Sequence, residues 1–224
     1  MIMNNSMKRR QTSETFLLSA ILSLSGGFQD AYTYTLRGKV FANAQTGNVV
    51  LMSEHLMRSE WMIAFKYLLP LVAFALGIIF AEQIEHKFKK SKILHWRQLV
   101  LIFEIIILFT VSIIPENLNT LANVLVSLSC SMQVQTFRKM NGLGYASTMC
   151  IGNLRGGTES LSIFLREKNK NMLKKALNYY GIIFIFAIGA GLGGIISDII
   201  GISAILLSCV LLLIAFGMMY NEKA

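Results

Sequence analysis

The sequence predicts an all-α polytopic membrane protein. Three observations carry that expectation: a strongly hydrophobic composition, six apolar windows long enough to cross a bilayer, and basic residues gathered largely in alternate connections. Of the 224 residues, 54% are hydrophobic and only 15% are charged, and the mean hydropathy is +0.56. Soluble domains ordinarily carry about 25% charged residues. A span needs about 20 mostly apolar residues to cross a hydrocarbon core about 30 Å thick. The windows cover residues 15–36, 61–81, 99–114, 118–137, 176–196 and 200–220, the third being the shortest.

The first window follows Lys8, Arg9 and Arg10, so together with "FLLSAILSLSGG" it also has the basic and apolar regions of a secretory signal peptide. A related segment recurs in mid-chain, where it is not cleavable, so a retained span is expected. The lone Arg9-Arg10 pair is a poor twin-arginine signal. Next comes "ANAQTGN", residues 42–48, polar and glycine-bearing between two apolar runs, followed by a short amphipathic helix toward Met57. The second window carries Ala73 and Gly77, and the fifth Gly189 and Gly193; both are small-residue faces suited to close helix packing. Glu104 lies in the third window and Gln133 in the fourth. Trp61 and Trp96 are expected at the two water interfaces. Cys130, Cys150 and Cys209 lack metal-ligand spacing and read most simply as small apolar packing residues.

The charges predict an orientation. The net charge of +9 would point to nucleic acid in a soluble chain, but here the basic residues border spans. Lys8, Arg9 and Arg10 place the N-terminus in the cytoplasm, and six spans return Lys223 to the same side. Lys87, Lys89, Lys90, Lys92 and Arg97 fall in the second-to-third connection. Arg138, Lys139, Arg155, Arg166, Lys168, Lys170, Lys174 and Lys175 fall in the fourth-to-fifth. The outer side keeps only Arg37, Lys39, Arg58 and Lys66.

The chain also matches itself. "TGN" at 46–48 is answered by "IGN" at 151–153, a spacing of 105 residues. Ser53-Glu54 faces Thr158-Glu159 at the same spacing, Gln29 faces Gln133 at 104, and "FALG" ending at Gly77 faces "FAIG" ending at Gly189 at 112, as Tyr67 does Tyr179. Each half therefore reads as span, polar glycine-bearing segment, short helix, span, span. Residues 15–114 form the first repeat and 118–220 the second, within one membrane domain covering 1–224. Three spans per half force the second copy to enter from the opposite side, an inverted duplication common among secondary transporters. Fortuitous matching among apolar segments is the alternative.

Residues 26–52, "GGFQDAYTYTLRGKVFANAQTGNVVLM", resemble the signature of the YoaK family of bacterial integral membrane proteins, domain of unknown function 1275. The resemblance extends over nearly the whole chain. It implies an integral membrane protein without an established reaction, in a family sometimes suspected of small-molecule export. The second half departs from the pattern the family leads one to expect, with Ser131 for a glycine, Val134 for an amide and Ile151 for a threonine.

Irregular backbone survives at membrane depth only where protein or water covers it. If "ANAQTGN" dips into the membrane, Gly47 permits close approach or an unusual dihedral angle, and Thr46 or Asn48 caps the following helix. The matching start at Gly152-Asn153 then points in from the other face, and either positive helix end suits an anionic group. The alternative is a pair of surface turns. Asp30, beside Gln29 and about two-thirds along the first span, is a candidate for a coupling proton or substrate cation, oriented by Gln29 and Gln133. A structural hydrogen bond to the "TGN" turn is its other reading. Glu104 is a secondary candidate, either in a transport path or as an interfacial carboxylate near the cytoplasmic end. Glu54 and Glu159 occupy matching positions on the short helices, and Arg155 is spaced to neutralise Glu159 or meet an anionic substrate or lipid headgroup.

No enzyme signature accompanies these residues. His55, His86 and His95 have no metal spacing, and neither a phosphate-cradling loop nor a serine elbow is present. No metal, cofactor or nucleic acid is expected. The sequence therefore predicts a multi-pass protein of the cell membrane, with both termini cytoplasmic and the lipid bilayer and an unknown small solute as partners. Its expected activity is secondary transport or export, coupled to an ion gradient. The alternative is a non-transporting interaction, sensor or accessory protein. The small-residue faces suit homo-oligomerisation as well as packing within one chain.

Overall fold

A computed structural model of the chain describes residues 11–91 and 94–220. Lys8, Arg9, Arg10, Lys92 and Lys223, on which part of the expected orientation rests, lie outside the described residues. The structure is mostly helical: α1 Phe16–Leu36, α2 Gln45–Met57, α3 Trp61–Phe88, α4 Trp96–Val111, α5 Asn119–Thr136, α6 Cys150–Glu167, α7 Lys170–Ile200 and α8 Leu206–Met218. A two-residue hairpin, β1 Lys139–Met140 with β2 Leu143–Gly144, precedes α6.

Each of the six apolar windows holds a helix, and the departures have local causes. Thr15 caps α1 by accepting from Leu18 N at 3.4 Å. His95 caps α4 in a capping box with Gln98, so that helix starts three residues before its window. At the end of α7, Gly201 (φ +65°) takes a backbone angle that a side chain resists, and α8 begins only at Leu206 after a 3-10 turn. Two stretches are long and apolar enough to cross a membrane on length and composition: α3, and the run Lys170–Met218 spanning α7 and α8. The other three window helices are 21, 16 and 18 residues long, and α1 and α5 bury serine, glutamine, aspartate and asparagine.

The packing repeats in pairs. α1 lies along α7, and α5 along α3; α2 packs on α3, and α6 on α7; α4 packs on α5, and α8 on α1. α4 and α8 also touch each other. The glycines explain how close the two main crossings come. A Cβ on Gly27 would lie 2.1 Å from Phe186 O, and one on Gly189 2.1 Å from Leu24 O. At the other crossing a Cβ on Gly77 would meet Ser131 Oγ at 1.9 Å and Leu128 O at 2.5 Å. Leu24 and Leu128 stand 104 residues apart, and Gly77 and Gly189 stand 112 apart. The same kind of contact thus forms at both crossings. Without a hydrophobic drive between spans, close backbone approach of this kind supplies the packing.

The main apolar cluster is built from α1, α4, α5 and α8 and includes Leu22, Phe28, Leu101, Val126, Cys130 and Leu212. One end of the bundle carries ion pairs: Arg138 with Glu82 and Glu85, Lys89 with Glu85, and Arg97 near Glu14. Trp61 is exposed, but Trp96 is buried beneath Arg97 and packs beside Ala81 and Ile84, so it does not stand at an exposed interface.

Candidate functional site

Halfway along α1, Gly26, Gln29 and Asp30 face the interior. After Leu36 the chain turns through Gly38 (φ +83°) and Lys39 (φ +64°) and runs back beside the helix it has just left. Asn43 consequently lies against Asp30 and Gly26: Asp30 Oδ1 accepts from Asn43 N at 2.8 Å, and Asn43 Nδ2 donates to Gly26 O at 3.1 Å. The amides of Ala42 and Ala44 also lie close to the Asp30 carboxyl. Gly26 stands ten residues before the end of α1, which at 1.5 Å per residue is roughly 15 Å of return. α2 therefore starts near the mid-height of α1, with the Asp30 carboxylate at its positive end.

The start of α6 arrives at the same place. Gln133 Nε2 on α5 donates to Ser147 Oγ at 2.9 Å and to Leu22 O of α1 at 3.2 Å. A Cβ on Gly26 would fall 2.7 Å from Thr148 Cγ2 and 3.5 Å from Ser147 O. Gly26 thus has one returning segment hydrogen-bonded to its carbonyl and the other packed on its face. Gln29 completes the group: its Nε2 donates to Ser25 Oγ at 3.0 Å, and its Oε1 lies 2.9 Å from Cys130 Sγ.

Both turns share one clamp. Asn48 Nδ2 donates to Phe41 O at 2.7 Å, and Asn153 Nδ2 donates to Ala146 O at 2.7 Å, each reaching back seven residues. Asn48 also donates to Gln45 Oε1, and Asn153 accepts from Ala146 N. The side-chain caps expected at Thr46 or Asn48 are not formed, because α2 begins at Gln45 with Ala44 before it, placing both residues inside the first turn. Thr46 is exposed, and Gly47 has an ordinary helical φ, with Phe41 near its Cα. The second helix likewise starts at Cys150, earlier than Gly152-Asn153, and Gly152 is exposed with open space beside it.

The structure brings Gln29, Asp30 and Gln133 to one place around Gly26, holds Asn48 and Asn153 within the two turns beside it, and leaves the remaining candidates elsewhere. Glu54 pairs with Arg58 at 2.7 Å on an exposed helix face. Arg155 and Glu159 are both exposed, and among the described residues no ion pair joins them. Glu104 lies in mid-α4 and is fully buried, and among the described residues neither of its carboxyl oxygens is hydrogen-bonded. Other unpartnered buried atoms include the hydroxyls of Ser23, Ser127, Ser129, Thr148 and Ser208 and the Oδ1 of Asn43 and Asn123. Buried polar groups are normally satisfied, so each of these atoms is a place where an ordered water would find a partner.

Sequence reasoning missed Asn43, Cys130, Ser147 and Arg37. Asn43 lay in the quoted turn, but its partners are 13 and 17 residues back. Arg37 reads as an outer-loop charge, yet it is fully buried. Its guanidinium donates to Tyr32 OH from Nε and Nη2 at 2.9 and 2.7 Å, to Val111 O at 3.0 Å, to Ile114 O at 2.9 Å and to Asn119 Oδ1 at 3.1 Å. It thereby covers the carbonyl end of α4 and ties α1 to α5. Among the described residues, no group of three or more His, Cys, Asp or Glu is placed to hold a metal.

The family of proteins of unknown function DUF1275 matches residues 18–218. The chain is 25% identical over 182 residues to the UPF0700 transmembrane protein YoaK of Bacillus subtilis (strain 168), covering 77% of this chain and 80% of that protein. No solved structure matches. With its apolar helices, its buried polar centre and this match over most of its length, the chain is a membrane protein and belongs to the DUF1275 family, of which YoaK is a relative.

Proposed function

We propose that the protein is a six-span secondary transporter or exporter of a small solute in the cytoplasmic membrane, built from two inverted three-span halves with one central site. The convergence of two returning segments and their helix starts on Gly26, beside Gln29, Asp30, Cys130 and Gln133, carries this reading. Inverted-repeat transporters place substrate where broken or re-entrant helices meet near the bilayer midplane. The paired packing supports the duplication, as do two lateral apolar grooves of about 210 and 400 Å³. Leu24, Phe28 and Leu207 line one groove, and Leu128, Met132 and Phe103, at a constant spacing of 104, line the other. α1, α4, α5 and α8 then span alongside α3 and α7, α2 and α6 enter from opposite faces, and the basic connections put both termini in the cytoplasm. A proton gradient is the natural driving force for a site holding buried carboxyls.

A second reading is favoured by one observation: the central amides and Asp30 are bonded to one another and buried, as in a lock between helices. In that case the protein is a membrane interaction or accessory protein. The test compares exported and retained metabolites in cells lacking the protein, cells overproducing it, and cells with an equally abundant Asp30→Asn variant. A solute whose distribution follows the intact protein and not the variant supports transport. The absence of any such solute across growth conditions moves the conclusion to the interaction protein.

A further inference from the structure

The two buried carboxyls are held in opposite ways. Asp30 accepts a backbone N–H at 2.8 Å and sits at the start of α2. Glu104 has no such partner among the described residues: its helix spends the surrounding amides on its own ladder, and both oxygens are enclosed without a hydrogen bond. The described groups around it do not supply a cation. From α5 comes Cys130, which also lies near Asp30 of α1. From α8 comes Cys209, whose Sγ is 3.8 Å from Ile105 O, and next to it Ser208, whose hydroxyl is unpartnered. The 3-10 turn Gly201–Ile205 carries no ionisable side chain. On α3, Glu82 and Glu85 pair with Arg138 at the bundle's end. Arg37 reaches α4, but all five of its N–H groups are taken by Tyr32, Val111, Ile114 and Asn119. An ionised carboxylate without a partner is not tolerated in such surroundings, and one carrying a proton is.

We propose that Glu104 holds a proton in this closed arrangement, and that releasing it forces α4 away from α5 and α8. Glu104 is then the proton-coupling group, while Asp30 remains the hydrogen-bonded anchor of the α2 turn. Coupling to solute movement rests on the transport reading above; the protonation and the opening do not. The position also fits a moving part: Glu104 and Ser208 are 104 residues apart, flanking the Ile105–Cys209 contact where the two halves meet.

The test uses the purified full chain in lipid nanodiscs without added solute. Infrared spectroscopy should find the carbonyl band of a protonated carboxylic acid at neutral pH, retained in Asp30→Asn and absent in Glu104→Gln. A wild-type protein without the band, or a band that follows Asp30 instead, overturns the proposal. The second readout is maleimide labelling of Cys130, located by peptide mass. Thiolate formation alone makes the rate rise about tenfold per pH unit, and opening linked to one further proton makes it about a hundredfold. The wild type should show the steeper rise and Glu104→Gln the shallower. A wild type with only the shallower rise contradicts the proposal even if the variant does not fold. Both signals surviving while no transported solute is found would defeat the transport reading and leave the protonation of Glu104 standing.

Discussion

The starts of α2 and α6 share a clamp and differ in the side chain that fastens them. In both, an asparagine amide reaches back seven residues to a carbonyl at 2.7 Å. Beyond that they part. The first turn is fastened by a carboxylate, Asp30, and the second by a neutral amide, Gln133, with Val134 at the position matching Asp30 and the Thr148 hydroxyl left unpartnered. The backbone return therefore does not depend on an acid. What the acid adds is a side-chain acceptor for the Asn43 amide just before α2, which the second turn does without.

The largest effect is expected where the two halves cross their partner helices. Gly189→Ala drives a Cβ against the backbone of Leu24 and should destabilise by about 3 kcal/mol or more. Gly77→Ala meets the rotatable Ser131 hydroxyl and then the Leu128 carbonyl oxygen at 2.5 Å, a looser backbone approach than the 2.1 Å at Gly189, and should cost somewhat less, read as thermal unfolding in detergent. Next come the clamps. Asn48→Ala and Asn153→Ala each remove two buried hydrogen bonds and should cost about 2 kcal/mol apiece, and their near-equality would show that the clamp is a common part. Asp30→Leu leaves the Asn43 amide unpaired and should cost about 2 kcal/mol, whereas Val134→Leu should stay below about 1 kcal/mol; equal effects would erase the distinction between the turns. Smallest of all, Glu54→Ala and Glu159→Ala on the exposed helix faces should each change stability by no more than about 0.5 kcal/mol.

Local patterns were the legible part of this chain. Apolar windows located the helices because length and composition decide whether a segment seeks lipid. The Ala73/Gly77 and Gly189/Gly193 spacings pointed to close packing because one helix face must be small for two backbones to touch. The centre was only partly legible. Asp30, Gln29 and Gln133 stood out as polar groups in apolar runs, but Asp30's partner is set by a chain reversal between Leu36 and Asn43 that periodicity does not encode. Arg37 was misplaced because a basic residue in a connection looks solvated; it is buried because the end of α4 presents two carbonyls to it and Tyr32 and Asn119 take its remaining N–H groups. Cys130 looked like a packing residue because a thiol next to an amide across 101 positions leaves no local sign.

An inverted arrangement requires that α2 and α6 start at the same depth and run to opposite faces. Single cysteines replacing Arg58, just past α2, and Lys168, just past α6, test it in sealed right-side-out vesicles with a membrane-impermeant maleimide. With α2 and α6 running to opposite faces, Arg58→Cys should react at once and Lys168→Cys only after the vesicles are opened. Reaction of both from the same side would contradict the inverted arrangement and, with it, the central site.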